Sequence, residues 1–86
     1  MTKTTFADAL HDLDNACMVL RSFTLGHRGT TQRGGRLSIR RVNAQCSRLK
    51  KLFAEGPNAQ KVSYVIASAQ TRVLAAETRL ALLQKK

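Results

Sequence analysis

The sequence predicts an all-α protein in which three helices pack in an antiparallel arrangement. Apolar residues recur at alternating spacings of three and four along three segments, as they do on one face of a helix. Glycine, proline and polar residues gather between these segments. With 86 residues the chain has the length of one domain. We therefore expect a single helical domain over residues 1–86, and we expect dimerisation to complete its small aliphatic core.

The first helix is predicted over about residues 5–24. Thr4 or Thr5 suits the N-cap, because a hydroxyl there accepts a hydrogen bond from a free backbone N–H group. Asp8 lies near the positive end of the helix dipole. The apolar stripe of this helix consists of Phe6, Leu10, Leu13, Cys17 and Leu20.

The segment that follows, GHRGTTQRGGR at residues 26–36, differs sharply in composition. It contains four glycines, several cations and no aliphatic residue. Such a segment cannot bury enough apolar surface to hold a fixed structure. We expect a flexible, basic, glycine-rich loop at 26–36.

The second helix is predicted over about residues 37–55, and its apolar stripe consists of Ile39, Val42, Cys46, Leu49 and Phe53. Gly56 tolerates the left-handed backbone of a C-cap, and Pro57 prevents the helix from continuing. Cys17 and Cys46 fall on facing stripes of the first two helices. We expect two small buried side chains there, with a regulatory disulfide as the alternative.

The third helix is predicted over about residues 58–84, with Asn58 as its N-cap. At 1.5 Å per residue it is roughly 40 Å long, whereas the second helix is roughly 28 Å long. The tail around Leu80, Leu82 and Leu83 is therefore expected to overhang, with the glycine-rich loop or another subunit as its cover.

The charge of the chain is strongly unbalanced. Fifteen Lys and Arg stand against five Asp and Glu, which gives a formal net charge of +10. This balance favours a polyanionic partner, with nucleic acid first and an anionic membrane surface second. No apolar run reaches the roughly 18 residues that span a bilayer, and the N-terminus lacks a signal-peptide pattern. We expect no membrane span and a cytoplasmic protein, in the host cytoplasm if it is viral.

The cations of the second helix are predicted to lie opposite its apolar stripe, around Ala44 and Ser47. Small residues between arginines let a helix backbone approach a sugar-phosphate surface closely. No acidic residue occurs between Gly26 and Lys51, whereas a surface that serves only solubility, the alternative explanation, normally mixes both signs. The predicted nucleic-acid-binding residues are Arg28, Arg33, Arg36, Arg40, Arg41, Ser47, Arg48, Lys51, Arg72 and Arg79.

Two of those arginines belong to the third helix. Its cations Lys61, Arg72, Arg79 and Lys86 are predicted to share one flank of the apolar stripe, with Ser68 on the same row. If that flank turns toward the second helix, two parallel basic rows result.

The kind of nucleic acid is inferred from what the sequence lacks. Phe6 and Phe53 belong to apolar stripes and Phe23 borders one, which leaves Tyr64 as the aromatic candidate for base stacking. No helix-turn-helix, zinc-finger or basic-zipper pattern indicates major-groove DNA reading. A-form RNA is recognised mostly by shape and backbone contacts. We expect double-stranded RNA to be the ligand, with little sequence preference.

No residue pattern indicates catalysis. His11 and His27 have no nucleophile or metal-ligand pattern around them, and the glycine-rich loop lacks the Lys-Ser/Thr of a phosphate-binding loop. We expect no catalytic residue, no metal and no cofactor.

The layout of the first two helices, with the basic segment RRVNAQCSRLKK from Arg40 to Lys51 at its centre, resembles a known viral family. This family comprises the nodavirus proteins that coat double-stranded RNA and suppress RNA silencing. Its members are short helical proteins that dimerise and lay a basic helix along the duplex. The long third helix and the glycine-rich loop depart from the family plan. The resemblance implies that the chain shields viral duplex RNA from dicing and from loading as small interfering RNA.

Two other functions stay open at this point. One is a protein-interaction module, an inhibitor or adaptor that docks its basic surface on an acidic partner or its leucine stripe on another helix. The other is an architectural or regulatory protein that binds DNA. For the RNA-binding protein, a homodimer is expected to form through apolar helix faces.

Overall fold

The computed structural model describes residues 4–84 and contains three helices, each of which contacts the other two. Helix α1 spans Phe6–Thr24, α2 spans Gln32–Phe53 and α3 spans Ala59–Gln84. The prediction of an all-α, three-helix arrangement is confirmed, in a molecule that measures 47 × 25 × 15 Å along its principal axes. Lys86, the last cation of the predicted basic flank, lies outside the described residues.

Threonines cap the N-termini of α1 and α2. Thr5 Oγ1 accepts a hydrogen bond from the backbone N–H of Asp8 at 3.1 Å, so Thr5 is the cap of α1 among the two predicted candidates Thr4 and Thr5. Thr31 Oγ1 accepts in the same way from the backbone N–H of Gly34 at 3.0 Å. The second cap, which the sequence analysis does not predict, sets the start of α2.

Helix α2 begins at Gln32 and not at the predicted residue 37, so the predicted loop at 26–36 is wrong for its last five residues. The glycine-rich end of that segment is helical because Gly35 is buried against α1. A Cβ atom at Gly35 would lie only 2.5 Å from Cζ of Phe23, so the aromatic ring packs directly on the backbone of α2. The glycines here serve close packing, and the connection between α1 and α2 shortens to residues 25–31.

A Schellman motif ends α1. The backbone N–H of Gly26 donates to the carbonyl of Phe23 at 3.0 Å. The N–H of His27 donates to the carbonyl of Ser22 at 3.1 Å. Gly26 has a φ of +72°, the left-handed conformation that this motif requires and that glycine adopts without steric cost. The chain therefore reverses direction immediately after α1.

The core is aliphatic, as the composition predicts. The largest fully buried side chains are Leu13, Leu20, Val42 and Leu49, from α1 and α2. Cys17 and Cys46 are also buried, and both are free thiols. Desolvation by burial raises the pKa of each thiol; beside Cys17 the positive charge of Arg72 opposes that rise.

The C-terminal tail of α3 is better covered than predicted. Leu80 is buried and Leu83 packs against the core, whereas Leu82 is exposed. The expected overhang assumed that α2 starts at residue 37. Helix α2 starts at Gln32 and is therefore longer than that expectation assumed.

Candidate nucleic-acid interface

The exposed side of α2 carries a continuous row of cations and small residues, which we call the basic face. Its members Arg33, Arg36, Arg40, Arg41, Ala44, Ser47 and Lys51 are all exposed. They lie opposite the buried side chains of Val42, Cys46 and Leu49 on the same helix. At 1.5 Å per residue, the face extends roughly 27 Å from Arg33 to Lys51.

The early start of α2 changes how two of these arginines are presented. Arg33 and Arg36 fall within the helix instead of a loop, so their backbones are fixed. No acidic residue lies in the first turn of α2, where a negative charge would be favoured. Arg33 opposes the helix dipole at this end, which costs about 0.3–1 kcal/mol. Helix stability alone therefore does not explain a cation at this position.

Arg48 differs from the other predicted members of the basic face because its guanidinium is engaged by α1. Its Nη1 donates to Asp12 Oδ2 at 3.3 Å, and its Nη2 donates to Thr4 Oγ1 at 2.6 Å. Helical spacing alone predicts Arg48 on the free side of α2, with no partner from α1. The structure places the pair at the α1–α2 border.

Arg41 lies at the same border but remains exposed. It lines an open groove of about 270 Å³ between α1 and α2, together with Asp12, Asn15, Val19 and Gln45. Arg41 therefore marks the edge of the basic face, whereas Arg33, Arg40 and Lys51 follow its centre line by helical spacing.

Arg72 and Arg79 do not extend the basic face, because their flank does not turn toward α2, which was the condition for two parallel basic rows. The guanidinium carbon of Arg79 lies 5.8 Å from the ring centroid of Phe23. A Cβ atom at Gly26 would lie 2.8 Å from an Nη atom of Arg79. Arg72 lines a groove of about 390 Å³ with Arg21 and Thr24 of α1. This flank of α3 therefore faces α1.

The flank of α3 that does face α2 carries no predicted cation. It contributes Ser63, Ile66 and Gln70 to a groove that Lys50 borders from the α2 side. The periodicity of α3 fixes which residues share a flank, but it does not tell on which side of the α1–α2 pair the third helix lies.

Two further exposed cations, Arg28 and Arg21, lie outside the basic face. Arg28 lies in the turn between α1 and α2, near the N-terminal end of the basic face. Arg21 is the residue that the sequence analysis misses, and it joins Arg72 at the groove between α1 and α3. A helical projection of α1 places Arg21 on the same side as Cys17 and Thr24, which is the signal that indicates its position.

Other kinds of site find little support in the described part of the chain. Between residues 4 and 84 no three His, Cys, Asp or Glu side chains gather closely enough to hold a metal ion. None of the helices in that range is long and apolar enough to cross a membrane. No protein-family model, curated protein or solved structure matches this chain.

Proposed function

We propose that this protein is a non-catalytic nucleic-acid-binding protein that holds double-stranded RNA on the basic face of α2. The observation that carries the proposal is the exposed row from Arg33 to Lys51, which no acidic residue interrupts and which lies opposite the buried Val42, Cys46 and Leu49. Neighbouring cations on one helix face repel each other unless an anion lies against them. A polyanion removes that repulsion along the whole row.

The dimensions of the face suit a polyanionic duplex. A nucleic-acid duplex carries about one negative charge per 1.7 Å of its axis. A face roughly 27 Å long therefore meets more phosphate charges than its own cations neutralise, so several arginines bind at once. Ala44 and Ser47 are exposed between these cations, and their short side chains leave the centre of the face free of bulky groups. The helix backbone can thus approach the sugar-phosphate surface while Arg40 and Lys51 reach phosphates on either side.

The positions of the aromatic residues favour a duplex over a single strand. Phe6 and Phe53 pack on each other with ring centroids 5.3 Å apart, in an edge-to-face geometry. Phe23 is buried beneath Arg79, and Tyr64 lies on α3, away from the basic face. No aromatic side chain is therefore available on this face to stack with unpaired bases. A rigid, basic helix suits recognition by shape and phosphate contacts, as in A-form RNA.

The resemblance to the nodavirus suppressors gives this chemistry a biological setting. In that setting the protein is viral, acts in the host cytoplasm as a homodimer, and covers duplex RNA so that dicing and small-RNA loading are blocked. The basic face supports this role because phosphate contacts carry no sequence information, and a coat must bind any sequence.

The test is a binding titration of the protein with duplex RNA, single-stranded RNA and duplex DNA of equal length, each measured by fluorescence anisotropy over a range of salt concentrations. We expect the tightest binding to duplex RNA, with an affinity that falls steeply as salt rises, because bound counterions are released. Equal affinity for duplex DNA would contradict the choice of RNA. Absence of binding to all three, or binding that salt does not weaken, would overturn the proposal.

A further inference from the structure

Two open grooves lie along the junction of α1 with α3, and Arg72 lines both of them. The larger groove, of about 390 Å³, has Arg21 on its α1 side, and we call it the arginine end. The smaller groove, of about 120 Å³, lies between Asp14 of α1 and Tyr64 of α3, and we call it the tyrosine end. Together they form the α1–α3 cleft. The arginine end alone falls within the range of about 300–1,000 Å³ that is usual for small-molecule sites.

The arginine end carries positive charge that the protein does not neutralise. Arg21 and Arg72 come from different helices, and both are exposed. Within residues 4–84 neither guanidinium takes part in an ion pair or a side-chain hydrogen bond. Two like charges that line the same groove repel each other until an anion lies between them. Because a guanidinium matches the geometry of phosphate oxygens with two parallel N–H donors, this end fits a phosphate group.

An aromatic ring stands at the other end of the cleft. Tyr64 lines the tyrosine end and still exposes 76% of its surface. An exposed ring of this kind offers a face on which a nucleobase stacks. Tyr64 and Arg72 are eight residues apart on α3, which separates their backbones by about 12 Å along the helix axis. The cleft therefore presents a stacking group and a phosphate-binding group at opposite ends, as a nucleotide carries its base and its phosphate on opposite sides of the sugar.

Asp14 gives the cleft a direction. Its carboxylate lines the tyrosine end beside Arg72 but does not line the arginine end. A carboxylate repels a phosphate group, whereas it accepts hydrogen bonds from hydroxyl groups. The phosphate is thus excluded from the tyrosine end, and the hydroxyls of a ribose suit the position beside Asp14.

We propose that the α1–α3 cleft binds one ribonucleoside phosphate unit. The base stacks on Tyr64, the ribose hydroxyls donate to Asp14, and the phosphate lies between Arg21 and Arg72. A free nucleotide and an unpaired nucleotide of an RNA strand present the same chemistry to these groups. The site does not depend on duplex binding by the basic face of α2. A blunt-ended duplex has every base paired and leaves Tyr64 without a stacking partner, so the two sites have separate readouts.

The composition of the chain supplies the signal for a test. Tyr64 is the single tyrosine and the chain has no tryptophan, so the intrinsic fluorescence of the protein reports on Tyr64 alone. We expect saturable quenching on titration with AMP and with a short single-stranded RNA, after correction for ligand absorption with N-acetyltyrosinamide. Quenching by AMP identifies the free nucleotide as a sufficient ligand, and quenching by the RNA alone identifies the unpaired strand. Adenosine, which lacks the phosphate, is expected to bind more weakly than AMP. The absence of saturable quenching by either ligand overturns the proposal.

Substitution of one arginine tests the phosphate contact by calorimetry with the ligand that quenches. Arg72→Gln is expected to weaken binding by about tenfold or more, because hydrogen bonds to a charged group are lost. Lys50→Gln is the matched control, since it removes the same charge from an exposed position on α2, and it is expected to bind like the wild type. Circular dichroism checks the helix content of both variants. Equal weakening by the two substitutions, or adenosine binding as tightly as AMP, would exclude a phosphate site in the cleft.

Discussion

Arg48 Nη1 lies 3.3 Å from Asp12 Oδ2, and this contact joins α2 to α1 beside the basic face. The guanidinium of Arg48 is thus bound to α1, whereas the side chain of Arg40 is exposed to solvent. Sequence spacing groups the two residues together, whereas the structure separates a cation that holds the fold from one that is available to a ligand.

The double substitution Arg36→Glu with Arg40→Glu is expected to abolish duplex-RNA binding, because it reverses two exposed charges on the basic face. Conversion of the same residues to alanine is expected to reduce the slope of log affinity against log salt by about two, one for each lost phosphate contact. Anisotropy titrations measure both effects. Arg21→Glu with Lys61→Glu makes the same charge change away from the face and is expected to bind far better than the double reversal.

Arg48→Ala is expected to lower the free energy of unfolding by about 0.2–1 kcal/mol, the range for a partly exposed ion pair. Urea denaturation measures this loss, and a double-mutant cycle with Asp12→Ala isolates the coupling between the two side chains. A substitution that left stability unchanged but weakened RNA binding as strongly as loss of Arg40 would show that Arg48 leaves Asp12 to bind the ligand.

Gly35→Ala is expected to destabilise the protein, since the added Cβ collides with the ring of Phe23 in a closely packed contact. Overpacking of this kind costs about 1–3 kcal/mol, and the roughly 1 kcal/mol that alanine gains over glycine inside a helix offsets only part of that cost. Gly34→Ala is the control, because its Cβ would meet only Thr31 Oγ1, at 3.2 Å. Thermal unfolding compares the two, and equal melting temperatures for both variants would contradict the packing of Phe23 on Gly35.

The two thiols predict a loss of stability in alkaline solution. Burial raises the pKa of Cys17 and Cys46 above the ordinary value of 9.0, so the folded state keeps both protonated where the unfolded state ionises. The stabilisation that the two protonated thiols give the folded state is fully present below pH 9, and it is lost as the pH rises through the folded-state pKa. Urea denaturation at pH 7 and pH 10 measures the change. A Cys17→Ala, Cys46→Ala variant is expected to lose less stability over the same interval, and an identical loss would exclude the thiols as its cause.

The sequence predicts the structural features that depend on interactions between residues close together in the chain. The three helices, the Thr5 cap and the buried stripes through Leu13 and Val42 follow from spacing and capping chemistry, which act within a few residues. Arg36, Arg40 and Lys51 are exposed on α2 as the projection predicts, whereas Arg33 belongs to the predicted loop and lies on the helix only because α2 starts at Gln32.

The remaining features depend on contacts between helices. The glycines before Leu37 predict a loop, because the local sequence does not show that the ring of Phe23 packs on Gly35. The flank with Arg72 and Arg79 turns to α1 because α3 packs on one of two possible sides of the α1–α2 pair. Periodicity along a single helix carries no information about either contact.

The contact between Phe23 and Gly35 has a consequence for affinity. It anchors the first turns of α2, so the backbones of Arg33 and Arg36 are already ordered before any ligand arrives. A loop would have to lose its backbone freedom on binding, at about 1–2 kcal/mol for each residue fixed. Here only side-chain rotamers remain to be immobilised, at about 0.5–1.5 kcal/mol each. Much of the conformational entropy that binding would otherwise cost is therefore already lost when the core folds.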